Sequence, residues 1–161
     1  MMKTLLAASV LAVLVSPAPI GQDAKPDFSG TWTMDASRSD FGQMPPPQSI
    51  VIVIDHKDPA LKATVTQKTA EGEMTSTRDL TTDGKENKNT IRTMEGDQPI
   101  TSTSKWADKV LTTAYSLTIQ TMTISVTDTW ELSPDGKTLI ATRDFATDQG
   151  SFAQKVMFTK Q

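Results

Sequence analysis

The stretch Thr121-Met122-Thr123-Ile124-Ser125-Val126-Thr127-Asp128-Thr129-Trp130-Glu131-Leu132 decides the fold. Met122, Ile124, Val126, Trp130 and Leu132 recur at every second position, while Thr, Ser and Glu131 fill the places between. Side chains on a strand point alternately to opposite faces, so this period of two predicts a strand with one buried and one wet face. Ser133-Pro134-Asp135-Gly136-Lys137 then supplies a proline with preset φ, an Asx acceptor and a glycine that tolerates positive φ. Leu139, Ala141, Arg143 and Phe145 resume the alternation, which completes a β-hairpin.

Two charges interrupt the apolar sets of this hairpin, Asp128 and Arg143. If the turn closes with Leu132 facing Leu139, Trp130 faces Ala141, Val126 faces Phe145, and Asp128 faces Arg143. A closure with a glycine bulge at Gly136 would instead set Trp130 against Ile140 and Asp128 against Thr142, pairing apolar positions with polar ones, and is rejected. An isolated charge inside a protein carries a desolvation cost of several kcal/mol, so mutual pairing makes both placements tolerable. The pair reads either as a register lock or as the polar floor of a pocket in which Arg143 holds a ligand's acidic group.

Outward from this hairpin the chain repeats its design. Thr75 to Leu80, Thr101 to Trp106 and Ser125 to Leu132 are Thr/Ser-rich segments that run to a large apolar residue, each followed by a turn with Asp and Lys. Leu80, Trp106 and Trp130 lie 26 and 24 residues apart, the length of a hairpin. Return strands fall at Asn87 to Met94, Leu111 to Ile119, Leu139 to Phe145 and Phe152 to Thr159. The reading is all-β: an antiparallel up-and-down meander closed into a barrel of about 8–10 strands, with no helix.

Near the start, Phe28-Ser29-Gly30-Thr31-Trp32-Thr33-Met34-Asp35 alternates again. Gly30-Thr31-Trp32, with an aromatic upstream at Phe28, resembles the first barrel strand of lipocalin-like (calycin) proteins. The resemblance implies an antiparallel barrel, often with a small apolar ligand inside. It also implies a basic residue against the first-strand tryptophan, usually from the last strand: Arg143, with Lys155 and Lys160 as rivals.

Ala36 to Gln48 holds Pro45-Pro46-Pro47, which deny ladder hydrogen bonds, so it is a loop. It lacks the length and period of the helix pair that fatty-acid-binding proteins place over their barrel. Phe41 and Met44 either cap a cavity or pin the loop to the rim. Ile50-Val51-Ile52-Val53-Ile54 is apolar on both faces, so its outer side is expected under the loop or against a partner chain, with Val51 and Val53 as a homodimer contact. Asp55, His56 and Asp58 read as solvated turn polars.

Net charge is -3 over 161 residues, so no basic surface invites nucleic acid. Lys3 followed by the apolar run Leu5 to Val15 reads as a signal peptide, cut near residue 21, with a single domain over 22–161. That run is too short to span a bilayer, and once it is cleaved no stable membrane insertion is expected. Cysteine is absent, which excludes a disulfide scaffold and a thiol nucleophile. An exported chain without disulfides suits a bacterial periplasm or secretome.

No base, ligand cluster or phosphate-cradling loop accompanies the many hydroxyls, so the reading is not an enzyme and calls for no cofactor or metal. One inward acid, Asp128, does not make a glycosidase. A closed sheet of this size leaves room for one small ligand. Its candidate site residues are Trp32, Phe41, Met44, Tyr115, Val126, Asp128, Trp130, Arg143 and Phe145. Met34, Leu117, Met122 and Ile124 are further members of the inward sets, and together these favour a small apolar or aromatic ligand. The alternative is a ligand-free barrel that acts through its surface as an inhibitor or envelope accessory protein.

Overall fold

A computed structural model describes residues 24–93 and 96–161. The expected signal peptide and the end of the return strand at Met94 lie outside them. Ten strands follow one another: β1 (Gly30–Met34), β2 (Ser49–Lys57), β3 (Ala60–Thr69), β4 (Gly72–Thr81), β5 (Asp83–Thr93), β6 (Gly96–Ala107), β7 (Val110–Ile119), β8 (Met122–Leu132), β9 (Thr138–Thr147) and β10 (Gly150–Lys160). They form one antiparallel sheet in the order β4-β3-β2-β1-β10-β9-β8-β7-β6-β5, a meander whose ends approach as a nearly closed barrel. The pairing of β1 with β10 joins the first strand to the last, with Trp32 opposite Lys160.

The β8–β9 register is the one the alternation requires. Leu132 faces Leu139, Trp130 faces Ala141, Asp128 faces Arg143 and Val126 faces Phe145. In the turn, Asp135 accepts from the Ser133 hydroxyl at 2.6 Å and from the Lys137 amide at 3.1 Å. These two bonds hold its carboxyl below the usual carboxylate range.

One end of the barrel is filled. Phe28, Trp32, Leu61, Leu111 and Leu139 are fully buried there with Ile54, Leu80 and Phe158. Burying each such side chain contributes roughly 1.5–3 kcal/mol. The Trp32 indole N–H donates to the Phe28 carbonyl at 2.8 Å. The cation against Trp32 is Lys160, whose Nζ lies 5.3 Å from the ring centroid. Arg143 does not take this place, because it stands in the middle of β9, while the end of β10 lies beside β1.

His56 overturns the reading of a solvated turn. β2 runs on through Lys57, and His56 shares its inward parity with Ile52 and Ile54. Its ring is buried, stacks on Phe28 at 5.7 Å, and its Nδ1 accepts the Phe28 amide at 3.2 Å. Asp58 accepts from the Thr82 hydroxyl at 2.5 Å and from the Trp106 indole at 2.9 Å. Those bonds hold its carboxyl below the usual range. The segment 36–48 is a loop with a single 3-10 turn, Ala36–Arg38. It runs to β10 and the barrel mouth, leaving Val53 half exposed on the outer wall.

Gly30 sits at φ +132, and a Cβ there would meet the Lys160 Cε at 2.8 Å. Gly30→Ala is therefore expected to destabilise the barrel by about 1–3 kcal/mol, the range for a side chain in this backbone region. The urea midpoint measures it, and an unchanged midpoint would show that Lys160 and the strand yield without strain.

Candidate functional site

The filled end leaves the other half of the barrel open. A cavity of about 380 Å³ occupies it, with apolar walls from Ile50 and Ile52 (β2), Val65 (β3), Leu117 (β7), Phe145 (β9) and Val156 (β10). The alternation of each strand sends these side chains inward. Phe41, Met44, Pro45 and Pro47 lie over the mouth. The loop that carries them is tied down by reciprocal backbone bonds between Asp40 and Lys155, both 2.8 Å, and by the Gln154 amide bonding to the Phe41 carbonyl at 3.4 Å.

The floor is charged. Asp128, only 4% exposed, accepts two bonds from Arg143, Nε to Oδ1 at 2.5 Å and Nη2 to Oδ2 at 2.9 Å. Arg78 of β4 reaches across the lumen and donates from Nη1 to Oδ2 at 3.3 Å. Its guanidinium also lies over the Tyr115 ring, 5.8 Å from the centroid. Burial pushes the Asp128 carboxyl up, but Arg143 and Arg78 outweigh it and hold the group below the usual range. The Asp128 charge in turn raises Arg143 above its ordinary value, and burial raises the Tyr115 phenol. Two guanidiniums against one carboxylate leave a net positive charge facing the cavity. The Arg143 side chain is 40% exposed, while Arg78 is 9% exposed, so Arg143 is the more accessible of the two cations.

Of the residues predicted from sequence, Phe41, Met44, Tyr115, Asp128, Trp130, Arg143 and Phe145 line this cavity, as does Leu117. Trp32 and Val126 lie off it. Trp32 is wholly buried in the core of the filled end, and Val126 packs with Ile100 and Tyr115 in a second cluster on the β6–β8 wall. Ile124 and Met34 pack against these cores, and Met122 is exposed. Arg78 was missed. Its signal was parity with Leu80 two residues on, obscured because Thr75, Ser76 and Thr77 place similar hydroxyls on both faces.

No family model and no curated protein matches the chain. Among solved structures, the crystal structure of zebrafish ileal bile acid-binding protein complexed with cholic acid is similar to it. The two share 18% identity and a TM-score of 0.58, over 83% of this chain and 98% of that one. The two share the fold of an antiparallel meander barrel. At this identity the likeness carries the architecture alone, so the site rests on the side chains described above.

The ion triad makes a prediction about stability. Asp128→Asn leaves two guanidiniums facing each other with no counter-charge, an expected loss of about 3–5 kcal/mol. Because the folded carboxyl is depressed, its contribution is complete above the unfolded value near 3.9 and is lost as pH falls through the lower folded value. The urea midpoint difference between wild type and Asp128→Asn should therefore shrink below about pH 4. A double-mutant cycle with Arg143→Gln should give a coupling of about 0.5–3 kcal/mol. Strict additivity would show the pair to be energetically silent.

Proposed function

We propose that the protein binds one small amphipathic ligand inside its barrel. The acidic group of that ligand meets Arg143 and Arg78, and its apolar body lies against Phe41, Ile50, Val65, Leu117 and Phe145. The observation that carries this reading is the net positive triad at the floor of an otherwise apolar cavity of about 380 Å³. That volume falls in the range of small-molecule sites, roughly 300–1,000 Å³. Arg143 engages Asp128 through Nε and Nη2, which leaves Nη1 for an anion. The cholic acid complex of a protein with the same fold supports the reading by analogy of architecture. The apolar run at residues 5–15 further supports export to a periplasm or medium after removal of about 21 residues.

Titration with 1-anilinonaphthalene-8-sulfonate and with uncharged N-phenyl-1-naphthylamine, followed by tryptophan fluorescence, separates the two parts of the site. Both probes should saturate, the sulfonate more tightly. Arg143→Gln should cost the sulfonate about tenfold in affinity, the scale of one bond to a charged group, and leave the neutral probe near its wild-type value. No saturation with either probe would favour the ligand-free barrel that acts through its surface.

Intact mass of the protein recovered from the periplasm or medium of its host tests export. Loss of about 21 residues is expected for a signal peptide of this build, and full-length mass in that fraction would overturn it.

A further inference from the structure

β4 and β5 adjoin in space and close the barrel, yet no ladder joins them. Side chains stand in for it at the lower end. The Asn89 amide accepts the Asp79 N–H at 2.8 Å and donates to the Asp79 carbonyl at 2.9 Å. The Asn87 carbonyl oxygen accepts the Thr81 N–H at 2.9 Å and the Thr81 hydroxyl at 3.1 Å. A side-chain amide carries the same donor and acceptor as a peptide unit, so Asn89 stands in for a strand partner at Asp79, while Asn87 supplies the acceptor at Thr81 and donates to the Lys85 carbonyl of its own strand. An edge left open this way would otherwise expose unpaired backbone groups.

Above Asn89 the described residues of the two edges, Gly72–Arg78 and Thr90–Arg92, share no hydrogen bond or ion pair. A second hollow of about 460 Å³ lies between them, lined by Glu73, Thr75, Thr77, Thr90 and Asp97. It shares Met74, Ser76 and Arg92 with the barrel cavity. On this side the lumen is separated from solvent by those side chains and not by backbone. The mouth loop is fastened more firmly, by the Asp40–Lys155 pair, by Gln48 N–H to the Lys68 carbonyl at 2.8 Å, and by Met157 N–H to the Ser39 hydroxyl at 3.0 Å. Local opening follows the segment with fewest backbone bonds.

We propose that the ligand enters and leaves sideways, through the seam between β4 and β5. Asn89 and Asn87 are positioning residues that set how far this seam parts. The proposal rests on the binding reading above, but it commits to a route and to residues outside the cavity lining. A loosened clamp lowers the barrier in both directions, so it changes rates and leaves affinity in place. A residue that only held the ligand would change affinity instead.

Stopped-flow mixing with 1-anilinonaphthalene-8-sulfonate tests the route. Asn89→Ala should raise the association and dissociation rates together by about five- to a hundredfold, the factor set by two lost hydrogen bonds, with their ratio unchanged. Asn89→Asp keeps the acceptor for the Asp79 amide, loses the donor, and should fall between; it also serves if the alanine variant folds poorly. Ser39→Ala, which loosens the mouth loop, should leave both rates at the wild-type value. Faster exchange in Ser39→Ala with unchanged rates in the asparagine variants would overturn the seam. Amide hydrogen exchange of the unliganded protein gives a reading that needs no probe. Asp79 and Thr81 should exchange sooner than Asp40 and Lys155, after correction for sequence, and the reverse order would overturn the proposal. If the probe does not bind, the binding reading fails while the exchange order still decides the seam.

Discussion

Asp128 is a carboxylate in the middle of a barrel, and much of the architecture answers it. Its own desolvation opposes its charge, so the fold must bring cations to it, and it brings two from different walls. Arg143 arrives through the neighbouring strand by register; Arg78 arrives across the lumen from β4. A side chain as long as arginine can span such a distance only where no core residues stand in the way. The triad therefore marks the level at which dense apolar packing ends and a cavity begins.

The filled end shows what the same barrel does without a charge to satisfy. Phe28 and Trp106 stack at 5.6 Å with rings nearly parallel, and Trp130 meets Phe28 edge-on at 5.8 Å. His56 completes the stack, its Nδ1 serving as acceptor for a backbone amide that would otherwise be buried unpaired. The hydroxyls of Ser104 and Thr113 satisfy each other at 2.8 Å in the same cross-strand row as Asp128 and Arg143. The aromatic stack of the closed end thus gives way to a single polar row in which hydroxyl pair and ion pair lie side by side.

How far the sequence could be read follows from how strongly each strand alternates. Met122 to Leu132 contrasts apolar with hydroxylated side chains at every step, and that contrast carried the hairpin register and the facing of Asp128 and Arg143 without any structure. About ten strands were countable because most connections hold Asp, Gly or Pro, although Gln120-Thr121 between β7 and β8 does not. Arg78 was hidden because its strand is polar on both faces, and a two-sided polar pattern does not reveal which side is inward. His56 was hidden by Asp55, Lys57, Asp58 and Pro59, which read together as a turn, although Ile52 and Ile54 already fix its parity. Trp32 and Val126 were correctly inward, yet an inward direction does not tell core from cavity wall. The depth at which a barrel stops being filled depends on side chains from several strands at once. The seam between β4 and β5 was illegible for a related reason, since Asn87 and Asn89 look like ordinary strand polars until the sheet order is known.

The pairing of β1 with β10 also imposes an order in time. β1 has five residues and takes its partners from β2 on one side and from the last strand of the chain on the other. Just past β10, the Gln161 amide bonds to the Thr31 carbonyl at 2.9 Å. Hairpins such as β8–β9 can form from local contacts as soon as they are synthesised, but Trp32 gains Lys160 only when β10 has been made. Contacts of such long sequence separation are slow to form. The barrel is thus built to complete its core late, once β10 is available to β1, and until then it remains a string of hairpins around an unfinished centre.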